Sequence, residues 1–127
     1  MKNLLDVTNG RHCSVRLDKK IEKTIRKAPA INRAKWETLV KHFAKLGPED
    51  FNSTQFKREG RFSLGLASGK KENIYVFKAY QLRVYGGYLT IGGKLNFIFV
   101  EALIKKKDQV TQDFLKNIAK KVGEYHE

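Results

Sequence analysis

The residues able to do chemistry in this chain are mostly cations. Arg83 and Tyr85 stand two apart in the alternating segment Gln81-Leu82-Arg83-Val84-Tyr85, and an apolar stretch downstream runs into Lys105-Lys106-Lys107. Lys and Arg beside Tyr on a sheet can hold phosphates. The same set can cleave RNA without a metal ion: cations stabilise the pentavalent phosphorane while an oriented 2′-hydroxyl attacks its own phosphate. A Lys or Tyr whose pKa falls among cationic neighbours can replace a histidine base. Lys57, Arg58 and Arg61 lie upstream, either as further nucleic-acid contacts on that face or as solvated loop charges flanking it.

Other chemistries find little support. The single cysteine, Cys13, excludes an intrachain disulfide and multi-thiolate zinc sites, and reads as a small buried hydrophobe. His12, His42 and His126 show no ligand spacing, so no metal and no cofactor is expected. Gly60-x4-Gly65 and the Gly86-Gly87 and Gly92-Gly93 pairs lack the residues that complete a phosphate-binding loop. No Ser or Cys nucleophile motif occurs. Within the expected sheet region Glu101 is the lone acid, which argues against paired-carboxylate catalysis.

Charge supports a polyanionic partner. The 127 residues carry 26 basic and 13 acidic side chains, a net charge of +13. Phosphate neutralisation with counterion release makes nucleic acid the default partner for such a field. The competing reading is a solubilising surface, since 19 of the cations are Lys, the less specific phosphate reader. Residues 1–47 hold twelve basic and four acidic side chains, and residues 74–107 hold six and one. In both segments the charge is interleaved with apolar periodicity, so it belongs to folded elements and not to a disordered arm. An apolar content of 41% with fourteen aromatics fits one globular domain over 1–127. After the basic start at Met1-Lys2 the apolar stretch is broken at Asp6, which does not make an export signal, and no stretch suits a membrane span; a cytoplasmic protein is expected.

These residues need elements to position them. Residues 1–10 read as a leader ending in the turn pair Asn9-Gly10, and Cys13 to Leu17 alternates like a brief strand. Asp18 offers an N-cap for a basic helix over 19–27 that Pro29 ends. Trp36, Leu39, Val40, Phe43 and Leu46 share a helical face, stopped by Gly47-Pro48. Strands are expected over 61–66, 74–77, 81–91 and 95–104, with a polar loop over 68–73. Asp108 would cap a last helix carrying Val110, Phe114, Ile118, Ala119 and Val122.

Gly92-Gly93 is a strong two-residue hairpin signal, because a type I′ turn needs positive φ at both positions. It sets Ile91 opposite Lys94, Leu89 opposite Asn96, Tyr85 opposite Val100 and Arg83 opposite Ala102. Alternation then projects Arg83, Tyr85 and Lys106 together from an open face, beside Ala102 and Ile104. Leu82, Val84, Leu95, Phe97, Phe99 and Leu103 take the face covered by helices. Gly86-Gly87 is the point at which a bulge would flip this assignment.

A helical first half, a β-meander, a basic strand end and a closing helix follow in order. Ile74-Tyr75-Val76-Phe77-Lys78, then Gln81-Leu82-Arg83-Val84-Tyr85, then Phe97 to Lys107 and the helix beyond resemble the RelE/HigB superfamily of toxin–antitoxin toxins, in its phage-associated HigB-like branch. The likeness covers roughly residues 35–122, in short motifs whose order and spacing agree. It implies an α+β fold in which N-terminal helices pack on a twisted antiparallel meander of about four strands with a C-terminal helix, residues 1–30 being an extension and 31–127 the core. It implies a ribosome-dependent mRNA endoribonuclease, with mRNA, ribosomal RNA and a cognate antitoxin as partners. It places catalytic cations at Lys78, Arg83, Lys105 and Lys106, with Lys107 beside them as a nucleic-acid contact. The tyrosine that the family carries on its closing helix has no counterpart before Tyr125; Tyr85, Tyr80 or Tyr125-His126 are the available substitutes. A non-catalytic nucleic-acid-binding protein on the same fold, and a gyrase-targeting toxin, are the alternatives.

Overall fold

The structure, a computed structural model, describes residues 3–106 and 110–127. Nine elements follow one another: β1 (Leu4–Asn9), β2 (Ser14–Asp18), α1 (Lys19–Lys27), α2 (Ala30–Leu46), β3 (Phe56–Ser63), β4 (Lys71–Ala79), β5 (Leu82–Ile91), β6 (Lys94–Ile104) and α3 (Gln112–Gly123). The six strands form one sheet in the order β1-β2-β6-β5-β4-β3. All neighbours are antiparallel except β2 and β6, which run parallel. Among the described residues no helix is long and apolar enough to cross a membrane.

This corrects the expected fold class. The sheet is mixed and has six strands, where an antiparallel meander of about four was expected. Residues 4–9, read as a leader, pair with β2, and β2 then adds to the meander along β6, from Ser14 opposite Asn96 to Leu17 opposite Phe99. The connection from β2 to β6 runs through α1, α2 and the strands β3, β4 and β5, ample chain for β6 to return as a parallel neighbour. The N-terminal residues are therefore part of the sheet itself.

Local chemistry accounts for the helices. Asp18 has extended backbone and its carboxylate accepts a hydrogen bond from the Lys20 amide at 2.8 Å, capping α1 as its sequence suggested. Ile21 and Ile25, one turn apart, are its buried stripe. Pro29 precedes α2, whose buried residues include Trp36, Leu39, Val40 and Phe43, and Gly47 ends it at φ +81°. Thr111 caps α3 by accepting from the Phe114 amide at 3.1 Å; the expected cap, Asp108, lies outside the described residues. Val110 thus precedes the helix.

Both faces of the sheet are covered. On one face α1 and α2 meet an aromatic core in which Phe43 packs edge-on against Phe77 and Phe97, with centroids 5.0 and 5.2 Å apart, and Trp36 lies 5.4 Å from Phe99. On the other, Leu115, Ile118 and Val122 of α3 pack on Ile74, Val76, Tyr85, Ile98 and Val100. The open face expected for Arg83 and Tyr85 is the one that α3 covers.

The turn at Gly92-Gly93 holds, with Ile91 opposite Lys94 and Leu89 opposite Asn96. The register then shifts: Gly86 pairs with Phe99 but Tyr85 pairs with Glu101, leaving Val100 as an extra residue on β6. So Tyr85 faces Glu101 and not Val100, and Arg83 faces Leu103 and not Ala102. Beyond the bulge Ala102 and Ile104 pack toward α1 and α2, while Leu103 turns toward α3. Gly86 permits this crowding, because a Cβ there would stand 2.1 Å from the carbonyl oxygen of Ile98.

Candidate functional site

Two adjacent cross-strand rows build the site on the α3 face. In one, Lys57 lies opposite Val76, and Val76 opposite Tyr85. In the next, Lys78 lies opposite Arg83, and Arg83 opposite Leu103. Lys105 follows Leu103 by two residues, on the same side. Glu59 joins them through a second register shift, between Arg58 and Gly60, that sets it as an extra residue in β3. Val110, Gln112 and Leu115, from the start of α3 and the residue before its cap, close the wall. Together these side chains line a cleft of about 320 Å³.

Among the described residues, four cations and one carboxylate therefore converge on a half-enclosed space floored by Val76, Tyr85 and Leu103. Their mutual influence is visible at Lys78, whose pKa is held below the usual lysine value by partial burial, and further by the charges of Lys57, Arg83 and Lys105, against an opposing pull from Glu59. Its Nζ donates to the Ser53 carbonyl at 3.0 Å. Arg83 is also depressed, first by burial. Its guanidinium donates to the carbonyls of Tyr80 and Leu82, the latter at 3.2 Å, which fixes its position at the rim.

Tyr85 is almost wholly buried, with its ring edge-on to Phe114 at 5.3 Å. Burial, with the Glu59 charge added, pushes its hydroxyl up to about 12. It is thus a proton-bearing wall of the cleft and not a base at neutral pH.

The structure brings together Lys57, Lys78, Arg83, Tyr85 and Lys105 of the expected set. Lys106 is exposed and stands outside the cleft; the single-residue bulge at Val100 exchanges it for Lys105. Arg58 is exposed and donates through Nε to Asn73 Oδ1 at 2.8 Å, away from the cleft. Arg61 lines a separate groove with Lys71, Lys116 and Lys120. Lys107 lies outside the described residues.

Sequence reasoning missed Glu59 and Gln112. Glu59 escaped because the strand was placed from residue 61 onward, whereas β3 begins at Phe56. No alternation marks 56–60 in the sequence, so nothing local signals the earlier start. No protein-family model, no curated protein and no solved structure matches the chain.

Proposed function

We propose that the cleft binds the backbone of RNA and cleaves it as a metal-independent endoribonuclease, acting in the cytoplasm on messenger RNA presented by the ribosome. The observation that carries this reading is the convergence of Lys57, Lys78, Arg83 and Lys105 around one cleft with Glu59, the one carboxylate among its described lining residues. Glu59 is the group able to take the proton of a 2′-hydroxyl. The freed 2′-oxygen then bonds to the adjacent phosphorus while the bond from phosphorus to the 5′-oxygen breaks, giving a 2′,3′-cyclic phosphate and a 5′-hydroxyl. Lys78, whose lowered pKa makes its ammonium a better acid than an ordinary lysine, supplies the proton to the departing 5′-oxygen. Arg83, Lys57 and Lys105 stabilise the charge that builds on the phosphorane. The likeness of the segments around Arg83 and Lys105 to toxin strands supports translated mRNA as substrate and an antitoxin as the protein partner.

The test is expression in growing bacteria with mapping of mRNA ends, paired with purified protein on RNA with and without translating ribosomes. Growth arrest and new ends bearing 5′-hydroxyls are expected, unaffected by chelator and abolished by Glu59→Gln and by Lys78→Met. Intact mRNA with folded protein overturns it. A second reading, a protein that holds RNA without cutting it, is favoured by the burial and high pKa of Tyr85, which removes the aromatic base from the site. Salt-sensitive binding without cleavage would select it.

A further inference from the structure

The turn between β4 and β5 combines strained backbone with an exposed aromatic ring, and its backbone is bonded to two residues that line the cleft. Ala79 pairs with Leu82, so Tyr80 and Gln81 form a two-residue hairpin loop. Among the described residues, Tyr80 is the one non-glycine with positive φ, at +56°. Gln81 does not share it, so the positive φ falls on the first loop position alone, the slot in which such a hairpin favours glycine. The chain uses glycine freely where geometry alone matters: the neighbouring hairpin has Gly92 and Gly93 at φ +59° and +78°. A bulky residue kept where glycine is easier points to a use for its side chain.

The surroundings indicate what that use is. Tyr80 is 57% exposed, although it is one of the largest apolar side chains in the protein. Its carbonyl accepts from the Arg83 guanidinium, and the Gln81 carbonyl accepts from the Lys105 backbone amide at 2.7 Å. The guanidinium of Arg83 and the backbone of Lys105, both residues of the cleft, thus hold the turn in place, so the exposed ring is carried on a turn anchored to the cleft's walls. An exposed ring next to a cationic groove is the arrangement on which unpaired bases stack.

We infer that Tyr80 is a stacking platform for one nucleobase of a single-stranded RNA whose phosphate lies in the cleft. This rests on the nucleic-acid reading of the cleft and extends it from backbone to base. The contact is sequence-tolerant, because every base presents a π-face, and it demands an unpaired nucleotide.

The test uses the whole protein and a short 2′-O-methyl RNA, which cannot be cut, carrying 2-aminopurine at each position in turn. Wild type and Tyr80→Phe should quench the fluorescence at one position. Tyr80→Leu and Tyr80→Gly should abolish that quenching and weaken binding roughly 5- to 150-fold. An abasic nucleotide at the same position should weaken wild type by a similar factor and leave Tyr80→Leu unchanged. Tyr80→Gly relieves the backbone, so its loss of binding cannot be assigned to unfolding. Quenching and affinity in Tyr80→Gly equal to wild type would overturn the platform; if Lys57→Ala and Lys105→Ala still lose binding in that case, the cleft reading survives. Wild type that shows no salt-sensitive binding removes the cleft reading, and the platform with it.

Discussion

The Tyr125 hydroxyl donates to the Asp18 carboxylate at 2.6 Å, joining residues 107 apart in the sequence, and both side chains are buried. The same carboxylate caps α1 through its other oxygen. One acidic group thereby fastens the segment beyond α3 to the junction of β2 and α1. Tyr125→Phe should cost about 1.5–3 kcal/mol, the range for a hydrogen bond to a charged group. Asp18→Ala should cost more, since it also removes a cap worth about 1 kcal/mol. Urea denaturation of both variants checks the order, and equal stability of Tyr125→Phe and wild type would refute the tie.

Alkaline pH should weaken the fold through its tyrosines. Burial raises Tyr85 to about 12 from the ordinary 10.0, and raises Tyr88 and Tyr125 further. A group with a raised folded pKa contributes stability that is intact below its unfolded value and is lost as pH climbs through the folded one. Stability should therefore fall as pH rises above 10. Tyr125→Phe, with one such group removed, should show a shallower fall in thermal midpoint over that range.

Lys78→Met should raise the thermal midpoint at low salt while weakening phosphate binding. The variant keeps an unbranched apolar stem and removes a cation crowded by Lys57, Arg83 and Lys105. The gain should shrink as salt screens the cluster. Inorganic phosphate should stabilise wild type more than the variant. Differential scanning fluorimetry across salt and phosphate series measures all of this; a lower midpoint at low salt would contradict it.

Gly86→Ala should be severe. The added carbon meets the Ile98 carbonyl oxygen at 2.1 Å, in the interior of the sheet, and the neighbour is backbone that cannot swing aside. A loss of about 3 kcal/mol or more is expected. Gly92→Ala makes the comparison, since nothing lies within 4 Å of its added carbon and only the positive φ penalises it, by about 1 kcal/mol. Similar losses in the two variants would mean that β6 yields at the bulge.

What the chain disclosed before its structure was known follows a physical line. The Gly92-Gly93 turn and the Asp18 cap are local and emerged as expected, as did the helical stripe except at its last member, Leu46, which is exposed. Arg83 and Tyr85 do share a face, because β5 alternates without interruption, but that face is covered by α3 and is not open. Lys106 was placed with them because alternation cannot register an inserted residue, and Val100 is one. Gly86-Gly87 marks the point, but a pair of glycines does not reveal which strand carries the excess. The six-stranded sheet was illegible for another reason: the pairing of β2 with β6 joins Val15 to Phe97, and no short-range pattern encodes a partner that distant.

That parallel pairing also has a temporal side. During synthesis from the N-terminus, β1 and β2 emerge long before β6, the strand on which they must dock. Until then their hairpin lacks its neighbour, and an isolated two-stranded ribbon is marginal in water. The nascent chain must therefore carry an unfinished edge through most of its translation, and the closing of Ser14–Leu17 onto Asn96–Phe99 is a late, entropically expensive step. The basic cleft, whose Lys105 extends the same β6, is completed at nearly the same moment. Maturation of the sheet and assembly of the cation cluster then coincide, so that a half-made chain presents no assembled charge cluster.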